Sequence, residues 1–481
     1  MTKKEFKRAM QCGLGRCIQE LKTCGNIEKY RDIILWGCTH NLAYDAQCEG
    51  TRSYYLYKLV KCYPDTDFFV DAVIPYFYKS IARSDWSFDQ FCDFLGWFAG
   101  EGNPTALHAL QENYRRMYDV LKVRKRRLSD GILPVRDNFE KLCIDIVNMP
   151  DYKEDCEAAY FRMVEELGCL ILDNPLFETW GFDWFQACWE NEFGKAKIRK
   201  QLEKRAENAK GTKVYFASML KKEDNRDRYA VKRREKIENM TAREIYRLLQ
   251  NGGKIGWVRS DIPIMLAPIM RRNGKEKEVK KLAAYYQRET DLVLKSQLLR
   301  FLANRYCTDL LDMAAVIADS KSENAALQEN AFRALGFMTD IRVHNYALEL
   351  LQKNEHLEDV ISMLANNYVK EDCDILVALI KALPVTYQEK DICWHGPFMA
   401  VLDLLETRGV KHPPRELLYY MYEHTLCSSC RESILREMSR RKMLTREILQ
   451  ECLYDSNDEI RELAKKRLAK MEGNRNGENL V

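Results

Sequence analysis

The residues of this chain best equipped for chemistry fall in two short runs. One is His424-Thr-Leu-Cys427-Ser-Ser-Cys430-Arg431. Two thiols at C-x-x-C spacing can share a zinc ion or take part in thiol–disulfide exchange. His424 is a nitrogen donor close by, and His395 lies in the irregular stretch before it. Stacked helices would bring His395, His424, Cys427 and Cys430 together as a four-ligand set. No second C-x-x-C accompanies the pair, and the run sits at a turn where Ser428 or Ser429 would cap the following helix. The other run is Cys38-Thr-His40-Asn41-Leu-Ala-Tyr-Asp45-Ala-Gln-Cys48-Glu49-Gly-Thr-Arg52. Cys38, His40, Asp45 and Cys48 are zinc-donor types, but their spacing matches no established zinc motif. The simpler reading is a structural turn, with Asn41 or Asp45 capping and Arg52 pairing with Glu49 or Asp45. The expectation is no cofactor, with zinc on Cys427 and Cys430 as the alternative.

A second chemical signal is charge. Between Lys195 and Lys281 stand 26 Lys and Arg against 11 Asp and Glu, a local balance of +15 in a chain whose net charge is +4. Lys195, Lys197, Arg199, Lys200, Lys204 and Arg205 share one expected helix, and Lys232, Arg233, Arg234 and Lys236 another. Tyr215, Phe216, Tyr229 and Trp257 are interleaved. Such a surface neutralises phosphates and stacks bases, or holds an acidic protein. Glu203, Glu207, Glu235 and Glu238 equally allow solvated helix faces laced by i,i+4 pairs.

The elements that must position these residues are helices. The chain runs on a helical period almost throughout and shows no β-like alternation. Expected helices are Ile27–Cys38, Thr51–Tyr63, Phe68–Lys79, Phe88–Ala99 and Pro104–Lys125, then others between residues 136 and 192. The C-terminal third reads as pairs: Thr308–Ala318 with Glu323–Met338, and Arg342–Lys353 with Leu357–Tyr368. Ile375–Leu383 and Pro397–Thr407 follow across an irregular stretch. Pro414–His424 then pairs with Arg431–Arg440, and Thr445–Tyr454 with Asp458–Met471. First helices of successive pairs begin 34 residues apart at Thr308 and Arg342, and 31 apart at Pro414 and Thr445. The last pair carries Asp458-Glu-Ile460-Arg461-x-x-Ala464-x-x-x-Leu468. This pattern resembles the HEAT and armadillo-like repeat proteins over 308–471, and more faintly over 27–125. The resemblance implies an all-α solenoid of stacked helix pairs, because one pair cannot bury its apolar face alone. It also implies a curved inner surface that binds a protein or nucleic acid.

One further run, Trp180-Gly-Phe-Asp183-Trp184-Phe-Gln-Ala-Cys-Trp189, precedes the basic helix. It resembles the active site of the HEAT-like alkylpurine DNA glycosylases. That resemblance implies Asp183 as the carboxylate stabilising an oxocarbenium charge, between the aromatic walls Trp180 and Trp184. Asp183 at a helix N-terminus, with the indoles in the core, accounts for the same residues. No phosphate loop, dinucleotide fingerprint, nucleophile elbow or H-E-x-x-H is present. None of the 7 histidines precedes a glutamate, which excludes the His-Glu iron ligands of the deoxyhypusine hydroxylases.

No run approaches the roughly 20 apolar residues of a membrane span. The 17 cysteines, an odd number scattered on apolar faces, read as free thiols of a cytoplasmic protein. The expected organisation is irregular repeats over 1–135, a Trp-rich helical segment over 136–194 and a basic middle over 195–300. HEAT-like repeats over 301–472 and a disordered tail over 473–481 follow. The expected function is a non-catalytic scaffold holding an acidic protein, or nucleic acid, on its helical surface and basic middle. No catalytic residue is assigned, Asp183 being the alternative. The sequence sets no oligomeric state.

Overall fold

The computed structural model describes residues 1–123, 193–208, 240–250, 270–383, 395–407 and 412–478, with single positions between 135 and 191 and at 267 and 410. Among them every regular element is a helix and there is no strand. None of these helices is long and apolar enough to cross a membrane. The chain divides into two units. One unites Met1–Glu223 with Tyr422–Val481, and the other is Asp224–Met421. The boundary falls within the helix Leu417–His424.

The first unit opens on two helices that the sequence reading left out, Lys3–Cys12 and Arg16–Thr23. Thr2 and Glu5 form a capping box: the Thr2 hydroxyl accepts the Glu5 N–H, and the Glu5 carboxylate accepts the Thr2 N–H at 2.8 Å. The first helix stops at Gly13, whose φ of 74° is left-handed. Phe6 stacks on Tyr30 with ring centroids 4.0 Å apart. The expected Phe68–Lys79, Phe88–Ala99 and Pro104–Lys125 stand as Thr66–Lys79, Ser87–Gly100 and Pro104–Val123. Phe69, Phe77, Phe88, Phe91, Phe94 and Phe98 are buried on the first two of these. Each such ring contributes about 1.5–3 kcal/mol over its exposed state. The C-terminal helices Ser428–Arg440, Arg446–Cys452 and Asp458–Glu478 belong to this same unit. The last one continues past Met471 into the segment read as a tail.

The second unit is a succession of helix pairs. Leu292–Leu302, Ala325–Leu335 and Leu357–Asn366 each pack on the helix before them, and His395–Glu406 follows in the same row. Each packs on the next, so they form one continuous layer. Asp291, Asp312, Asn324 and Asp340 cap helices there by accepting backbone N–H groups of the first turn. The expected helix Thr308–Ala318 is broken because Asp312 is such a cap: a 3-10 turn at Thr308–Leu310 precedes the helix Met313–Asp319. Polar links cross from one pair to the next. The Tyr286 hydroxyl meets Asp319 at 2.5 Å, the Asn330 amide meets Ser296, and His344 Nε2 meets Asp372 at 3.1 Å. These partners are 33, 34 and 28 residues apart.

Candidate functional site

The two runs that head the sequence reading meet in the first unit. Asp45 caps the short helix Ala46–Glu49, its carboxylate accepting the Cys48 N–H at 3.3 Å. The Glu49 side chain, fully buried, accepts the Ser428 N–H at 2.8 Å through Oε2 and the Asp45 N–H at 2.9 Å through Oε1. Arg52, also buried, pairs with Glu49 at 2.8 Å and donates to the carbonyls of Leu426 at 2.7 Å and Cys12 at 3.1 Å. Its guanidinium also donates to the Ser456 hydroxyl. Burial alone would raise the Glu49 pKa, but Arg52 and the two amides outweigh it, and the carboxyl is held below its ordinary value.

A second buried pair lies alongside. Arg431 Nε and Nη2 each donate to Asp455 at 2.9 Å, a bidentate ion pair with both side chains inaccessible to solvent. Arg431 also donates to the Thr425 carbonyl at 3.3 Å. Gly13 and Gly15 let the N-terminal turn approach this centre. A Cβ on Gly13 would overlap Arg52 and Ser456, and one on Gly15 would overlap the Glu451 carbonyl. Outside the buried pairs, Arg16 holds Glu451 at 2.8 Å.

Cys427 and Cys430 stand beside this junction. Cys427 is the residue before the helix Ser428–Arg440, with extended backbone, and Cys430 lies in its first turn. Neither Ser428 nor Ser429 is the cap the sequence suggested. The cap position is Cys427, and the Ser428 N–H donates to the Glu49 carboxylate. The two sulfurs lie within 4.8 Å of each other. Cys430 is held well above the ordinary thiol pKa, first by its contact with Cys427 and then by burial, with the Glu49 charge adding to both. Tyr44 is pushed up by burial and by the same two thiols, which places it next to them. Cys48 is exposed, its thiol bonded to Asp45.

Cys38, His40, Asp45 and Cys48 do not assemble as a ligand group among the described residues. Cys38 is buried within its helix, and His40 Nδ1 lies 2.8 Å from the Trp36 carbonyl. Asp45 as a cap and Arg52 paired with Glu49 match the simpler reading of this turn. His424 ends the helix Leu417–His424, and His395 begins the helix His395–Glu406.

The basic helix Lys195–Asn208 exists. Ile198, Leu202 and Ala206 form its buried stripe at i, i+4 and i+8. Lys195, Lys197, Arg199, Lys200 and Lys204 are exposed and Arg205 is half-buried. Lys197, Lys200 and Lys204, three and four apart, share the face opposite the stripe. Arg199 also pairs with Glu203 at 3.4 Å, and Lys197 lies over the Phe193 ring at 5.1 Å. Lys232, Arg233 and Arg234 lie outside the described residues, as do Trp180, Asp183 and Trp184.

In the second unit, a cavity of about 380 Å³ opens on the layer formed by Leu292–Leu302 and Ala325–Leu335. Its lining includes Ser296, Gln297, Arg300, Glu329, Asn330 and Arg333. The Asn330 amide nitrogen donates to the Ser296 carbonyl and hydroxyl and to Ala326 at 2.8 Å, which fixes the side chain across two helix pairs. The sequence reading passed over these residues. The signal available was a helical face that carries Ser296 and Arg300, and again Asn330 and Arg333, where a core face would be apolar.

No protein-family model matches the chain, and no curated protein matches it.

Proposed function

We propose that the chain is a non-catalytic binding scaffold, a HEAT-like α-solenoid whose stacked helix pairs hold an acidic segment of a partner protein. The observation that carries this reading is the polar cavity on the helix layer of the second unit. Residues from two consecutive helix pairs line it, Arg300 and Arg333 give it positive charge, and Gln297 and Asn330 supply amides. Such groups suit an extended polypeptide: guanidinium groups pair with carboxylates, and amides satisfy main-chain donors and acceptors. Repeated cross-links such as Tyr286 to Asp319 and His344 to Asp372 support the stacking, since each links residues about one repeat apart.

Nucleic acid is the competing partner, and the face of Lys197, Lys200 and Lys204 is its natural seat. We place the acidic protein first because the cavity combines both charges, with Glu329 beside the arginines. A uniformly basic surface would suit a phosphate backbone better. The reading is tested with a fluorescein-labelled peptide rich in glutamate, followed by anisotropy on the wild type and on R300E/R333E. Saturable binding lost in the double variant is the expected result. Equal binding by both proteins would rule out this cavity.

A further inference from the structure

The C-x-x-C pair has a geometry that its packing role does not use. Cys427 occupies the N-cap position of Ser428–Arg440 without making a side-chain cap bond. The first amide of the helix, that of Ser428, donates to Glu49. Cys430, three residues on, lies on the same side of the first turn, and its sulfur is in contact with that of Cys427. Cys427 is buried and Cys430 half-buried, so the pair sits at an edge that an ion can reach.

We propose that Cys427 and Cys430 bind a zinc ion. Their sulfurs, within 4.8 Å of each other, are close enough to share one ion, and thiolate sulfur suits zinc. On binding, Zn²⁺ replaces the two thiol protons, which pass to solvent, and two Zn–S bonds form with no change of oxidation state. The neighbouring segment provides an outer layer, because Asp45 and Glu49 are fixed by main-chain bonds at 3.3 and 2.8 Å. Two thiolates leave further positions of a tetrahedral ion to be filled. His424, which the sequence also suggests, does not gather with the two sulfurs among the described residues.

The test uses the full chain, purified under reducing conditions, loaded with zinc chloride and dialysed against metal-free buffer. Elemental analysis should find about one zinc per chain, and C427S and C430S should each lose it while keeping wild-type far-UV circular dichroism. Cobalt in place of zinc gives a second readout on the unmutated chain: a thiolate-to-cobalt charge-transfer band is expected. Zinc should also protect both thiols from alkylation. Substoichiometric zinc in the wild type, zinc retained in both cysteine variants, or cobalt binding without the charge-transfer band would overturn the site. So would a Cys427–Cys430 disulfide that persists under the same reducing conditions.

Discussion

The carboxylate of Glu49 accepts the backbone N–H of Ser428 at 2.8 Å, across 379 residues of sequence. The same carboxylate neutralises Arg52, whose guanidinium reaches the carbonyls of Cys12 and Leu426. One acidic side chain thus ties the N-terminal helices to the C-terminal ones. Its removal leaves a buried guanidinium without its counter-charge and an amide without its acceptor. E49A is expected to destabilise the first unit by about 3–5 kcal/mol. Urea unfolding followed by circular dichroism measures this directly.

The pH dependence follows from the same carboxyl. Because its folded pKa lies below its unfolded one, the unfolded chain binds more protons as the solution is acidified. Its contribution is complete above the ordinary glutamate range and is lost as pH falls through the folded value. The stability of the wild type should therefore drop more steeply below about pH 4.5 than that of E49Q. Denaturation midpoints compared between pH 7 and pH 3 check the sign.

Arg431 and Asp455 make the complementary case. Cutting one partner, as in D455A, should cost about 3–5 kcal/mol. Replacing both by apolar residues, as in R431M/D455L, should cost much less than the sum of the single changes. A double-mutant cycle read by thermal unfolding separates the two outcomes.

Gly13 is required twice over, by its left-handed φ of 74° and by the side chains of Arg52 and Ser456 pressed against it. G13A is expected to lose more than about 1 kcal/mol. G25A serves as the control, since nothing lies within 4 Å of a Cβ there. The two midpoints in urea, measured side by side, decide the matter.

What the sequence made legible was what local chemistry determines. Arg342–Lys353 was recognisable because its apolar residues keep the helical period, and the helix stands as Ile341–Lys353. The Glu49–Arg52 pair and the Asp45 cap were readable because each joins residues three apart. The helix Lys3–Cys12 is announced in the sequence by the capping-box spacing of Thr2 and Glu5. The seat of Ser428 on Glu49 was not readable at all. A single chain does not record which of many distant carboxylates will reach a given amide. The cavity at Arg300 and Arg333 escaped for a related reason, since its residues belong to two helices that are not neighbours in the chain.

The binding claim is tested most directly by one salt titration. Labelled glutamate-rich peptide, single-stranded DNA, duplex DNA and RNA are each titrated with the purified chain, at low and at near-physiological salt. The account predicts that the acidic peptide still binds at near-physiological salt and that R300E/R333E abolishes that binding. Nucleic acid should by then have been released. Nucleic acid held more tightly than the peptide, or no binding of the peptide even at low salt, would contradict it.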